Sequence, residues 1–413
     1  MIRNYLLTAW KVYTRRKLFT AINLLCITLT LMVLLVVTAL LQNELYPTGV
    51  EGKSDRFLQV GTVVALGPEG NSTRISPLGH KLIEDYLKPM KTAQLVAAVT
   101  GPKAVSVYQG DRITEVQMRR ADANYWKILD FVTLDGRLPT ADDDVRGRFV
   151  AVLNESTARK LFPGSKAVGQ AMNIGGQSFQ VIGVVQDTMH FNSYSDVWMP
   201  VSTDPSTEYR NQMWGDFSAL LLARNANDVP AMKAEVAAMA KRVKFDDPKE
   251  WSTAIFWGDT KLDFFARGLL NNEKDADSGA VWFLTIIGVL MLFFMLLPAL
   301  NLVNLNIGRI MERSSEIGVR KAFGASSTQL VVQFVVENIL LCLFGGLLAL
   351  VAAKGVLVWL ENSGLIPYLD VDINLAVFGC GLVLATVFGL LSGVIPAWKM
   401  SRLNPVQALK GAA

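Results

Sequence analysis

The sequence predicts an α-helical membrane protein with four transmembrane helices and a two-lobed α+β extracytoplasmic domain inserted between helices 1 and 2. Three observations carry this expectation. Among 413 residues, charged side chains make up 18% and apolar ones 51%, against roughly 25% charged in an ordinary soluble domain. The apolar residues gather in four runs, each long enough for the ~20 residues that cross a bilayer. Basic residues then flank those runs on one side only. The net charge of +4 is modest and carries no nucleic-acid signature.

A cytoplasmic segment, residues 1–17, carries Arg3, Lys11, Arg15, Arg16 and Lys17. The first span is 18–41. It is too long for the apolar core of a signal peptide, and no small-x-small cleavage site follows it. The second span is 280–305, the third 328–360 and the fourth 375–396. Arg309, Arg313, Arg320 and Lys321 lie in the loop 306–327, and Lys399, Arg402 and Lys410 in the tail 397–413. The loop 361–374 has no Lys or Arg, only Glu361, Asp370 and Asp372. The positive-inside rule places both termini and the 306–327 loop in the cytoplasm. The 361–374 loop and the long segment 42–279 fall outside.

Residues 42–279 read as a soluble domain. Strand-like runs are Phe57–Val64, Gln94–Thr100, Val150–Leu153, Gln177–Val185 and Phe217–Ala223. Ser76-Pro77 reads as an N-cap opening a helix to Leu87. Asn154 caps a helix to Phe162, and Asp228 caps one to Val243 whose Val229, Met232, Val236, Met239 and Val243 recur at helical spacing. One lobe takes residues 55–109 and 216–258, the other the insertion 110–215. Asp142-Asp143-Asp144 reads as a solvated loop rather than a cation site, since no ligand spacing surrounds it. Trp251, Phe256, Trp257, Phe264 and Phe265 read as core and juxtamembrane packing rather than a surface for a hydrophobic substrate. Leu262, Phe265, Leu269 and Leu270 form an amphipathic stalk.

Cys26, Cys342 and Cys380 all lie in apolar stretches and read as small hydrophobes. His80 and His190 are the only two histidines, which argues against a His-based metal site; none is expected. No nucleophile–base pattern points to an enzyme.

The loop around Glu312–Gly324 is dense in both charge signs. Glu316 and Arg320 are four apart and pair on one helical face, while Ile317, Val319, Ala322 and Phe323 leave an apolar stripe and Gly324 fits a C-cap. Such a segment fits a docking element for a partner's groove and fits equally a charged turn anchoring two helices. The third run, as a helix from Ser326 to Leu357, is about 48 Å long at 1.5 Å per residue. Its first turns then emerge on the cytoplasmic side, with Glu337 near that interface in a structural role rather than as a substrate or proton site. Gly345 and Gly346 permit a bend or close packing. Gly389 and Gly393 form a GxxxG pattern.

Three stretches together resemble one family. ERSSEIGVRKAFGAS (Glu312–Ser326), SGVIPAWKMSRLNPVQAL (Ser392–Leu409, with Pro396) and VAVLNESTARKLFPGSKAVGQAMNIGGQSFQVIGVVQDT (Val150–Thr188) are similar to segments of MacB/FtsX-like permeases, the type VII ABC transporters. Asp196-Val197-Trp198-Met199-Pro200 continues the last of these, and the opening of the chain has the same look. The resemblance implies a dimer with a second permease copy or paralogue, and two cytoplasmic ABC ATPase subunits. It implies ATPase docking through Glu312, Arg313, Glu316, Ile317, Gly318, Arg320, Lys321 and Gly324; the structural roles of Glu337, Gly345, Gly346, Gly389 and Gly393 in the membrane come from the helix reading above, and Pro396 joins them from the matching tail. ATP-driven motion of the external domains, mechanotransmission, would drive export or extraction at the inner membrane. A periplasmic adaptor and an outer-membrane channel are further partners it raises. No G-x-x-x-x-G-K-[ST] loop is present, so ATP and Mg are expected on the partner ATPase and no cofactor on this chain. The first run begins within twenty residues, which leaves that ATPase to another chain. Alternatives are lipoprotein release of the LolC/LolE kind, or a non-transporting regulator of cell-wall enzymes or a sensor kinase.

Overall fold

The computed structural model describes residues 13–15, 17–46, 49–109, 112–294, 296, 327–366, 368, 369, 371, 373, 375–383, 386, 387 and 390. They fall into two units. One lies within Met1–Gln42, Leu284–Ile366 and Asp370–Ala413, the other within Asn43–Phe283 and Pro367–Leu369.

Helix α1 (Lys17–Leu45) enters the second unit with its last turn. The elements that follow are β1 (Phe57–Val60), β2 (Thr62–Leu66), β3 (Thr73–Pro77) and α2 (His80–Leu82, extended by a π turn Ile83–Leu87). Then come β4 (Ala93–Thr100), β5 (Lys103–Gln109), β6 (Arg112–Ala121), α3 (Tyr125–Ile128), β7 (Thr133–Gly136) and α4 (Ala141–Val145). After β8 (Val150–Asn154), α5 (Glu155–Leu161), β9 (Ala171–Ile174), β10 (Gln177–Val185) and β11 (Val197–Pro200), the chain returns through β12 (Phe217–Ala223), α6 (Val229–Ala240), β13 (Thr253–Ile255) and α7 (Lys261–Leu270). The first unit holds α8 (Ala280–Phe294) from Leu284 onward and α9 (Ser327–Ser363).

Ten strands make one sheet in the order β1-β12-β4-β6-β11-β8-β10-β9-β5, with β7 on β10 and β5 also paired to β6. That last pairing closes β6, β11, β8, β10, β9 and β5 into a six-stranded ring. β5, in the first lobe by the sequence reading, is therefore bonded to β6 and β9 of the second. Val107, Val116, Met118, Leu153, Met172, Phe179 and Val181 fill the ring, the inward members of alternating strands. β12 is buried along nearly its whole length because both edges are paired, to β1 and β4. One of its faces packs with Leu82, Ile83, Leu87, Met232 and Val236 of α2 and α6. The other joins Tyr125, Trp126, Phe131 and Trp198 in an aromatic cluster.

The strands Gln177–Val185 and Phe217–Ala223 form over the residues expected. Asn154 caps α5, its Oδ1 accepting from the Thr157 amide at 2.8 Å. Three local expectations are corrected. Phe57–Val64 is not one strand: it breaks at Gly61, where a Cβ would lie 2.5 Å from the Phe264 ring, and β2 turns into a separate sheet β13-β2-β3. Ser76 and Pro77 do not cap a helix but end β3, opposite Val63 and Thr62. Proline is tolerated on such an edge, and the helix starts at His80. Asp228 makes no side-chain cap to α6, which ends at Ala240; Val243 is buried in the same core from beyond the helix.

The Asp142–Asp144 run is not a solvated loop. Asp143 is fully buried and completes a capping box with Thr140 on α4. Arg137 donates to both its oxygens at 2.6 and 2.9 Å, and Arg148 adds a contact at 3.2 Å. The Arg137 hydrogen bonds, opposed by burial and helped by Thr140, hold its carboxyl well below the usual range.

In the first unit, Thr20–Leu45 and Val335–Ser363 are the two stretches, among the described residues, long and apolar enough to cross a membrane. Ile27 and Leu31 of α1 share a buried cluster with Leu341, Cys342 and Ala349 of α9.

Asp143→Ala removes a cap and two ion pairs whose arginines are half-exposed and regain water. We expect a loss of about 1–2 kcal/mol in thermal or denaturant unfolding of the solubilised chain at neutral pH. A depressed carboxyl stabilises above its unfolded pKa, so the gap between wild type and variant should shrink as pH falls below about 4.

Candidate functional site

Lys261 opens α7 behind the N-cap Thr260, whose hydroxyl accepts from the Asp263 amide while Asp263 returns the bond to the Thr260 amide. This places the Lys261 ammonium inside the protein, 4% exposed. It lies 2.5 Å from Glu51 Oε2, donates to the Glu44 carbonyl at 2.5 Å and sits 3.6 Å from Glu44 Oε1. Glu44 belongs to the last turn of α1. Glu51 ends a short 3-10 turn, Gly49–Glu51, and is fully buried.

Bringing two charges out of water costs several kcal/mol per ion, so the remaining lone pairs must be filled. Glu51 Oε1 accepts from the Asn192 amide at 3.0 Å, and Oε2 from the Asn192 side chain at 3.4 Å. The Phe191 amide donates to Glu44 Oε1 at 3.2 Å. Gly49, at φ +51°, faces His190 Nε2, which a Cβ there would approach to 3.3 Å. Burial, reinforced by Lys261 and opposed by Glu51, lowers the His190 pKa.

The 190–194 segment is held from below by the body of the domain. Arg119, 5% exposed, donates to the Phe191 and Tyr194 carbonyls, each at 2.8 Å. Tyr125 Oη donates to the Asn192 carbonyl at 2.8 Å and accepts from Trp198 Nε1 at 3.3 Å. Trp198 lies on β11, a strand of the ring. A continuous polar path therefore runs from the last turn of α1 and the first turn of α7, through Glu51 and Asn192, into the ring.

The far end of α7 is tied equally firmly. Arg267 makes a bidentate pair with Asp259 at 2.8 and 3.0 Å, both buried. Its Nη1 also donates to the Asn272 and Asp275 carbonyls at 2.5 and 2.6 Å. Burial raises the Asp259 pKa against the pull of Arg267. Asn271, at φ +53°, ends the helix in the left-handed conformation that asparagine tolerates.

Of the residues singled out from sequence, Glu312, Arg313, Glu316, Ile317, Gly318, Arg320, Lys321, Gly324, Gly389, Gly393 and Pro396 lie outside the described residues. Glu337 is buried on α9 and accepts from Gln333 Nε2 at 3.0 Å, while its backbone carbonyl accepts from the Tyr13 hydroxyl. Gly345 and Gly346 face different neighbours: added Cβ atoms would meet Ile27 at 2.6 Å and Leu382 at 2.5 Å. The Gly345 carbonyl accepts from Thr28 Oγ1 at 3.3 Å. Glu51, Asn192 and Lys261 were not singled out. The one signal was that Lys261, Asp263 and Arg267 all avoid the stripe of Leu262, Phe265 and Leu269.

Residues 20–239 match the MacB-like periplasmic core domain and residues 288–405 the FtsX-like permease C-terminal domain. The chain belongs to the MacB/FtsX-like ABC transporter permeases. A macrolide export ATP-binding/permease protein MacB of Yersinia pestis is 24% identical over 98% of this chain and 60% of its own length. A probable export ATP-binding/permease protein MacB of Pseudomonas entomophila is 24% identical over 71% of this chain and 42% of its own. This permease thus spans about half the length of those relatives. An uncharacterised ABC transporter permease, YknZ of Bacillus subtilis, is 25% identical over 78% of this chain and 77% of its own length. Among solved structures, the periplasmic region of MacB from Actinobacillus actinomycetemcomitans aligns at TM-score 0.38 and 16% identity, covering 54% of this chain and 96% of that one. The extracellular domain of YknZ aligns at TM-score 0.36 and 18% identity, over 44% and 91%.

In this permease, Lys261→Met strands the Glu51 carboxylate in the interior and should cost about 3–5 kcal/mol. Lys261→Met combined with Glu51→Leu should recover most of that loss. Equilibrium unfolding of the wild type, both single variants and the double variant gives the coupling energy. Additive losses would mean the two charges do not act as a pair.

Proposed function

We propose that this chain is the permease subunit of an ABC exporter in which a separate ATPase hydrolyses ATP and this chain turns the resulting helix motion into motion of its external domain. The observation that supports the reading best is the Lys261 cluster. It joins the last turn of α1 and the first turn of α7 to the ring through filled, buried hydrogen bonds, so a displacement of α1 is passed on rather than absorbed in a loose linker. The YknZ relative, named a permease, is matched over 77% of its length. The MacB relatives, named ATP-binding and permease proteins together, are matched over 60% and 42%.

In this reading the chain crosses the inner membrane four times, at 18–41, 280–305, 328–360 and 375–396, with both termini in the cytoplasm. Residues 42–279 stand outside. The 306–327 loop docks on the ATPase through Glu312, Arg313, Glu316, Ile317, Gly318, Arg320, Lys321 and Gly324. A second permease, identical or paralogous, completes the transporter, and ATP and Mg stay on the ATPase. The work done outside is export or extraction of a substrate, with a periplasmic adaptor and an outer-membrane channel as further partners.

Two measurements test this. Glu316→Ala with Arg320→Ala should reduce co-purification of the ATPase and its permease-dependent ATP turnover by about tenfold, the effect of about 1.4 kcal/mol of docking energy; unchanged recovery and turnover sink the docking assignment. Cysteines at Glu69 and Gly364 should react with a membrane-impermeant maleimide from outside, and one at Ser314 only after permeabilisation. Any other pattern overturns the topology.

A further inference from the structure

Helix α7 wears its amphipathicity inverted for a helix on a water-soluble domain. Its three ionisable side chains all turn into the domain. Lys261 reaches Glu51 and Glu44, Asp263 is bonded to Lys233, Ser278 and Thr260, and Arg267 is locked on Asp259. The face left outward carries Leu262, Phe265 and Leu269, spaced three and four residues apart on one stripe. Leu269 is 65% exposed and the other two are half-buried. Phe191, 41% exposed, extends the patch, its ring centroid 5.1 Å from Phe264 and 5.8 Å from Phe265.

The same hydrogen bonds set where this patch lies. The Phe191 amide and the Lys261 ammonium both bind Glu44. Glu44 sits in the last turn of α1, one residue before the end of the apolar stretch Thr20–Leu45. Ten residues after Leu270, the apolar helix α8 begins. In the proposed topology the patch is thus tied to the external end of α1 and stands, along the chain, shortly before α8. An apolar stripe whose polar partners are all spoken for, fixed at that level, fits the interfacial layer of a bilayer, where amphipathic helices bury one face among headgroups and upper acyl chains.

We infer that Leu262, Phe265 and Leu269 of α7, together with Phe191, rest in the external interfacial layer of the lipid bilayer and hold the base of the external domain on the membrane surface. The inference rests on α1 crossing the membrane, so its test carries a separate control for that. The full chain with Cys26→Ala, Cys342→Ala and Cys380→Ala receives one cysteine at a time: Leu269→Cys, Phe191→Cys, Val37→Cys on α1, or Val145→Cys on the outer surface, where Val145 is 86% exposed. Each is labelled with an environment-sensitive fluorophore and reconstituted in nanodiscs of phosphatidylcholine and phosphatidylglycerol, with or without phosphatidylcholine bearing a nitroxide near the top of its acyl chain.

The Leu269 and Phe191 labels should lose about half or more of their emission to the nitroxide lipid, with Val145 unaffected and Val37 quenched. Quenching at Val37 but not at Leu269 or Phe191 overturns the inference while leaving the membrane reading of α1 intact. No quenching at Val37 sinks that reading, and this one with it. A label at Leu269 that escapes the lipid quencher and is reached by iodide means the stripe faces water. One that escapes both, with spin labels at the same site in two copies broadening each other, means a second copy covers it. Either overturns the proposal.

Discussion

The second unit depends on one constraint: an ammonium and a carboxylate, Lys261 and Glu51, held 2.5 Å apart in an interior that excludes water from both. Such a pair is stable only when its own remaining donors and lone pairs are satisfied. The chain meets that demand from four directions, with the end of α1, the 49–51 turn, the 190–194 segment and the start of α7. The two charges draw on donors and acceptors from all four, and at Gly49 a side chain would have to adopt φ +51° and bring its Cβ within 3.3 Å of His190 Nε2.

From that cluster the rest of the unit follows by support. The 190–194 segment is shaped by Arg119, which spends its donors on backbone carbonyls, and by Tyr125, whose hydroxyl links Asn192 to Trp198. Burial holds the Tyr125 phenol neutral well beyond its ordinary titration range, so it remains a donor to Asn192. Trp198 belongs both to the aromatic cluster with Trp126 and Phe131 and to β11, a strand of the ring. The closed ring removes sheet edges on its own side.

The sequence made the long, regular features legible. Unbroken apolar runs marked α1 and α9, the two described helices long and apolar enough to cross a membrane, and alternating or solidly apolar runs marked β10 and β12, because their patterning reports burial directly. What it hid has a common cause. Gly61 breaks a strand because of Phe264, some two hundred residues away; Pro77 ends a strand rather than opening a helix because β2 is there to pair with it; Asp143 is buried because two arginines converge on it. Each is a local pattern overruled by a partner distant in sequence or invisible to periodicity. The Lys261 cluster is the extreme case. Its members come from residues 44, 51, 192 and 261, and none carries a motif. Only the segregation of ionisable residues from the Leu262–Leu269 stripe hinted that α7 keeps its charges for the inside.

A hydrophobic contact at this junction would be at least as stabilising as the ion pair and simpler to build. It would also be tolerant, since apolar side chains slide and repack at small cost compared with the loss of a buried hydrogen bond. A hydrogen-bonded polar cluster has fewer intermediate arrangements, because moving Glu44 stretches its bonds to the buried Lys261 ammonium and to the Phe191 amide. The junction therefore holds its geometry or lets go, as bistable contacts do. In the proposed mechanism, where motion of α1 must reach the domain that follows it, that property would separate a linkage that passes force from one that dissipates it. The stiffness comes from the cluster rather than from the helices themselves. The α7 helix is ten residues long, and a helix that short is marginal without its tertiary ties; Glu51 at its start and Asp259 near its end fix it to the domain.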